Sequence, residues 1–383
     1  MGRQLGWVWF GGLSTDIYCI PANITAASSS PIYIFGKIDT AKNRAVLTDL
    51  GLPSSFINNI WTSSISVENK IYCIPTNRGK NHPFGILRTN FNTIEVTTLG
   101  TNQSLNNFFL NPVLVGTKIY CIPSVTPGTY NQLGTNLLVD TRAVIIDTES
   151  DTAIESTLGN LNDELFFSRH VANGNKIYSI PDRSTQASGV YKFGVTDAAT
   201  NVMSSSTLGL PLLASSPQWF SAVSVGTKVY CVPYASSSGL FCIIDATTNT
   251  ATTSSLGINA SFAASNSAWT HAIAVGTKIY CIASLNNVFG IIDATTDTAT
   301  LTTLGLPNQP YGWSSVVSIG TKIYCIPTFI PSQFSAFNSV AIIDTTTDTA
   351  TLTDLGIDSS VLSQYPNGLG WATAAAVIKP SPA

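Results

Sequence analysis

Seven times along the chain one short string recurs. It reads Ile-Tyr-Cys-Ile-Pro from Ile17, Ile71, Ile119 and Ile323, with variants from Ile177, Val229 and Ile279. Successive copies lie 54, 48, 58, 52, 50 and 44 residues apart. A chain built this way is a run of equivalent units. Each is too small to bury a core alone, so the units must stack on one another.

Two further regularities share the period. An Asp-containing string follows each copy, as in FGIIDATTDTATLTTLGL from Phe289, and its Asp falls at Asp39, Asp147, Asp197, Asp245, Asp293 and Asp344, with Arg88 in the second copy. A Leu-Gly pair ends this string in all seven units, from Leu50-Gly51 to Leu355-Gly356. Ten residues before the Ile-Tyr-Cys string stands an aromatic: Trp7, Trp61, Phe109, Phe167, Trp219, Trp269 and Trp313. Each unit therefore reads as four strands. Strand A runs from the aromatic to a two-residue turn, Gly-Thr in four units, where Gly supplies the positive φ of a II′ hairpin. Strand B is Lys-Ile-Tyr-Cys-Ile-Pro, whose closing Pro ends the ladder. A variable loop leads to strand C, Gly-Ile-Ile-Asp. A Thr-rich turn, with the Asp accepting its backbone N–H groups, leads to strand D.

Four-stranded units at this period mean propeller blades. The expected fold is all-β, a seven-bladed β-propeller forming one closed domain over 1–378, followed by a Pro-containing tail at 379–383. The blades fall near 7–52, 61–101, 109–160, 167–210, 219–258, 269–306 and 313–357. An extra strand of the A type, 371–377, begins at Trp371. Either this strand closes the ring on the first blade, or Trp7–Leu13 does. The G-x-[KR]-[IL]-Y strand before a V-I-D-x-x-T-[ND] hairpin resembles the repeats of kelch and YVTN-type propellers. The double Gly of kelch is absent at the matching place, as are the Gly-His and Trp-Asp signatures of WD40. The repeats also look like those of uncharacterised viral, including bacteriophage, and environmental propeller proteins.

Composition narrows the function classes. Charged residues make up 10%, against about 25% in a typical soluble chain, and Ser and Thr fill the gap. A net charge of −3 gives no footprint for nucleic acid, and no apolar run is long enough for insertion into a membrane. At the N-terminus one Arg precedes an apolar run broken by Gly and aromatics, which is not a leader pattern. Synthesis and folding in a cytosol are expected. Six of the seven Cys occupy the repeated position, in separate blades too far apart for disulfides, and Cys242 is the exception. Buried free thiols are expected, with no metal, because no C-x-x-C pair exists and no His lies near a Cys. No cofactor is expected.

Strand order defines two faces. The A–B and C–D turns share one, and the variable B–C and D–A loops share the other. On the turn face, the Lys opening strand B and the Asp ending strand C should meet within a blade, as Lys118 with Asp147 and Lys228 with Asp245. Blade 1 has Asp16 in place of this Lys, and blade 2 has Arg88 in place of the Asp. Pairing of Asp16 with Arg88 across the blade boundary would compensate both.

Function is expected on the loop face. Blades 2–4 hold its charged residues, among them Arg78, His82, Arg142, Arg169 and His170. The loops of blades 5–7 are rich in Ser, Asn and aromatics, the composition of adaptable recognition loops. The candidate partner contacts are Trp61, Trp219, Trp269, Trp313, Arg78, His82, Tyr311, Phe329, Phe334 and Phe337, although a residue repeated in every blade also suits packing between blades. The expected function is that of a non-enzymatic bacteriophage virion protein, decorating, fibre-associated or receptor-binding. It would be made in the host cytoplasm and attach through a propeller face to a viral structural protein or a host surface protein or glycan. One alternative is a cytoplasmic kelch-type scaffold. Another is a propeller lyase or hydrolase with His271 or His170 as base and Arg169 stabilising an anion.

Overall fold

The computed structural model describes residues 15–21, 35–48, 50–52, 61–75, 83–101, 109, 111–123, 142–158, 167–181, 190–211, 219–234, 239–258, 269–283, 287–307, 312–327, 339–357 and 371–378. They form seven four-stranded antiparallel sheets in a ring, each in the order A-B-C-D outward from the axis. In blade 5, for example, the strands are Trp219–Val225, Lys228–Pro233, Phe241–Asp245 and Thr250–Ser254.

The ring closes through the C-terminal strand. Trp371–Ile378 pairs with Thr15–Pro21 and supplies strand A of blade 1. Of the two closures open in the sequence, this is the one the structure uses, and Trp7–Leu13 lies outside the described residues. The A–B turns have the expected backbone: Gly116, Gly174, Gly226, Gly276 and Gly320 sit at φ 57–62°. In blade 2 Glu68 takes the same place at φ 53°.

Strands B and C are buried on both faces, so the core lies between blades. Seven apolar clusters fill the seven seams. The six repeated cysteines fall one to a cluster, and all seven thiols are free and buried.

Polar ties then join each blade to the next at three radii. Innermost, Ser hydroxyls of strand A accept backbone N–H groups of the following strand A: Ser63 from Asn111 at 3.0 Å, Ser221 from Ala272 at 2.9 Å, and Ser315 from Ala374 at 3.1 Å. At middle radius, the strand-B Tyr hydroxyl donates to the Asn or Asp in the next blade's C–D turn. Tyr72 reaches Asp151 at 2.5 Å, Tyr120 reaches Asn201 at 2.8 Å, Tyr178 reaches Asn249 at 2.7 Å and Tyr230 reaches Asp297 at 2.6 Å. Those acceptors all adopt φ of 51–56°, which Asn and Asp tolerate better than other side chains. Outermost, the Leu of Leu-Gly takes φ 50–55° from blade 2 to blade 7. Left-handed backbone costs a bulky residue about 1–2 kcal/mol. Offsetting it, each of these leucines is buried and its carbonyl accepts an N–H from the next blade's strand D, as Leu208 does from Ala251 at 2.7 Å.

The charges behave differently from expectation. Lys118 and Asp147 are register partners, as are Lys228 and Asp245, but the ion pairs form elsewhere. The strand-C Asp spends its Oδ1 on its own turn, as Asp147 does on the N–H groups of Glu149 and Ser150. The Lys crosses to the next blade and joins the acceptor already bound by Tyr. Lys70 meets Asp151 at 2.8 Å, Lys278 meets Asp348 at 2.6 Å, and Lys228 pairs with Asp297. Asp16 and Arg88 do not pair with each other either. Asp16 binds Lys37 at 3.2 Å, a residue standing where the other blades have Ile or Val. Arg88 binds Glu95 and Asp151, each at 3.2 Å. Each like-charge register pair is thus relieved locally.

Candidate binding site at the channel mouth

Strand A lines the central channel and begins at the loop face. Its first residue is the repeated aromatic, and Trp61, Trp219, Trp269 and Trp313 are buried to 0–4% exposure. The indole of Trp61 lies flat on its own strand C, so close that a Cβ on Gly85 would fall 2.6 Å from Cζ2. Its Nε1–H donates to the Pro83 carbonyl at 3.0 Å, and Trp219 and Trp269 do the same to Leu240 and Val288. Across the seam, Phe193, Phe241 and Phe289 pack on the tryptophan of the following blade with centroids 5.7–5.9 Å apart. These rings are core. Their burial gives them the packing role open to a residue repeated in every seam.

Two residues further along strand A the blades differ. Where blades 2, 5 and 7 place the bridging serines, blade 4 has Arg169 and blade 6 has His271. Arg169 lies over the ring of Phe220 in the next blade, its guanidinium carbon 4.5 Å from the centroid. Phe220 in turn packs on Tyr234, centroids 5.0 Å apart. All three are half-buried. This cation-aromatic stack spans blades 4 and 5 at the loop-face end of the channel.

The histidines stand close enough to feel Arg169 but are otherwise occupied. His271 shares Nδ1 with Thr270 Oγ1 at 2.9 Å and Nε2 with the Ser314 carbonyl at 3.1 Å, so it bridges blades 6 and 7 as the serines do elsewhere. The carbonyl can only accept, so Nε2 carries the proton and Nδ1 accepts from Thr270. His170 is buried, with Nδ1 2.9 Å from Ser179 Oγ and a further bond to the Ile122 backbone. Ser179 is the one departure from Cys in the repeated strand B, and His170 is its register partner. Burial first, and the Arg169 charge second, lower the pKa of His170 to about 3 and of His271 to about 4. Both rings are neutral at pH 7.

Of the other expected contacts, Arg78, His82, Tyr311, Phe329, Phe334 and Phe337 lie outside the described residues. Arg142 pairs with Glu155 at 2.6 Å along its own blade. Phe220 and Tyr234 were not singled out in the sequence. The available signal was a broken repeat: at the position of Phe220 the other blades carry Thr62, Leu110, Ser168, Thr270, Ser314 and Ala372. Among the described residues no three His, Cys, Asp or Glu side chains converge as a metal site requires.

No family model matches the sequence, and no curated protein matches it. Among solved structures, 77% of the chain is similar to 81% of the chain in the structure of YCF48 bound to D1 peptide, at 10% identity and a TM-score of 0.49. A second, AztD of Citrobacter koseri, is similar over 97% of this chain and 100% of that one, at 9% identity and a TM-score of 0.49. At such identities and scores, neither likeness bears on what this chain binds.

Proposed function

We propose that the protein is a non-enzymatic interaction module that engages a protein or glycan partner through its loop face. The observation that carries this is the Arg169–Phe220–Tyr234 stack. It is built from positions that break the repeat, so ring closure does not explain it, and it stands beside the variable loops. Arg and aromatic side chains are the enriched residues of protein interfaces. The non-enzymatic reading is supported by the state of His170 and His271, whose ring nitrogens hold the strands together.

The same reading places the module on a virus particle, as a bacteriophage decoration, fibre-associated or receptor-binding component. Support comes from the charge-poor and hydroxyl-rich composition and from thiols that are all free. A second reading is favoured by one residue. Phe91, at the C–D turn of blade 2, is 74% exposed, which supports a reading in which the turn face holds the particle while the loop face recognises the partner. Mass spectrometry of purified particles tests the placement: a fixed, stoichiometric copy number is expected, and absence from particles overturns it. Phe220→Ala with Tyr234→Ala tests the face. Loss of particle or cell-surface binding with an unchanged melting curve is expected, and unaltered binding refutes the choice.

A further inference from the structure

The structure assigns Cys231 and Cys242 as a redox-modifiable pair, a site where oxidation writes one disulfide across strands B and C of blade 5. Cys231 occupies the repeated position, and in the other blades the residue opposite it is Gly36, Gly85, Val144, Gly194, Gly290 or Ala341. Only in blade 5 is it a second cysteine. The two are direct register partners. Antiparallel partners have Cα atoms about 4.5–5.5 Å apart, inside the window of about 4.4–6.8 Å that a disulfide needs.

Register alone does not aim side chains at each other, but two observations do. Both thiols belong to one apolar cluster, with Trp219, Tyr178 and Leu208, so they leave the sheet on the same side. After burial, the Cys242 thiol is the neighbour that raises the pKa of Cys231, which places the two side by side. No other pair of the seven has this relation, since the five remaining cysteines lie in five different seams.

The chemistry balances with any two-electron thiol oxidant of the disulfide or diazene class. Two thiols lose two protons and two electrons, one S–S bond forms, and the oxidant is reduced to two thiols or to a hydrazine. Both cysteines are fully buried, and exchange needs a thiolate in contact with its oxidant. Oxidation therefore waits on opening of blade 5 and is faster in mild denaturant.

Diamide treatment of the folded full-length chain, followed by thiol counting in denaturant, tests the assignment. Seven free thiols should fall to five, with a mass loss of about 2 Da and a single linked peptide joining Cys231 to Cys242. Cys242→Ala should keep all six of its thiols under the same treatment, and Cys281→Ala should drop from six to four. A full count of seven after prolonged oxidation in mild denaturant, or a linkage to any other cysteine, overturns the proposal.

Discussion

Asp151 is the sharpest place to perturb the ring. This one carboxylate of blade 3 receives Lys70 at 2.8 Å, the Tyr72 hydroxyl at 2.5 Å and Arg88 at 3.2 Å, all from blade 2. Burial alone would raise its pKa, but the bonds from Lys70 and Tyr72 outweigh that and hold it below the usual value. Asp151→Ala leaves two cations facing each other in register and the Tyr72 hydroxyl with only the longer bond to the Thr148 carbonyl at 3.3 Å. Hydrogen bonds to charged groups contribute about 1.5–3 kcal/mol each. The site is 21% exposed, so solvent screening cuts the ionic part, and a net loss of about 2–4 kcal/mol is expected. An unfolding entropy of about 2.1 cal/mol/K per residue gives about 0.8 kcal/mol/K for 383 residues. The melting temperature should fall by about 3–5 °C. Asp151→Asn should cost only about 1 kcal/mol. It keeps the Tyr bond, as Asn201 and Asn249 do for Tyr120 and Tyr178, and its deficit should shrink in 1 M salt. The reciprocal change discriminates further. Asn201→Asp puts a carboxylate in the turn that Tyr120 reaches, where the repeat would bring Lys118, and should stabilise, whereas Asn92→Asp puts one in the turn that Tyr18 reaches, where the repeat would bring Asp16, and should destabilise. Urea midpoints of the four variants decide the matter. Equal losses for Ala and Asn at 151, or the same sign at 92 and 201, would refute the inter-blade triad.

Three other outcomes are expected. Gly85→Ala drives a Cβ to 2.6 Å from Trp61, while Gly290→Ala meets Trp269 at 3.1 Å; the first should cost about 1–3 kcal/mol and the second clearly less, and equal urea midpoints would contradict the stacking. His170 and His271 are neutral in the fold with lowered pKa values of about 3 and 4, so the unfolded chain binds their protons first. Their contribution is complete above about pH 6.5 and is lost as pH falls through about 4 for His271 and about 3 for His170. His170→Gln should reduce the slope of stability against pH in that window, and an unchanged slope would place its titration elsewhere. Truncation before Trp371 removes strand A of blade 1 and opens two seams; a monomer melting as cooperatively as the full chain would contradict the closure.

The architecture was legible because a repeat imposes its own solution. Seven copies of a four-strand pattern dictate seven blades, and among the described residues of blades 2 to 7 the aromatic, turn and Leu-Gly positions fall where the period puts them, while Trp371 opens strand A of blade 1. What the repeat could not show is which copy a side chain addresses. Lys228 has Asp245 opposite in its own blade, yet it pairs with Asp297 of the next. That choice depends on how adjacent blades are inclined, which no single unit encodes. The histidines illustrate the same limit. His170 and Ser179 were both visible as departures from the repeat, but only their register joins them. At the channel mouth, Arg169 was legible as an odd residue, while Phe220 and Tyr234 acquire meaning only from stacking across a seam.

Site-specific photo-crosslinking tests the central claim most directly. A photo-reactive phenylalanine analogue is placed at Phe220, on the loop face, or at Phe91, on the turn face, and each protein is irradiated with intact host cells. The account predicts a discrete adduct to a cell-surface protein or glycan from the Phe220 position and none from Phe91. Adducts from Phe91 alone, or none from either position, would contradict recognition through the loop face.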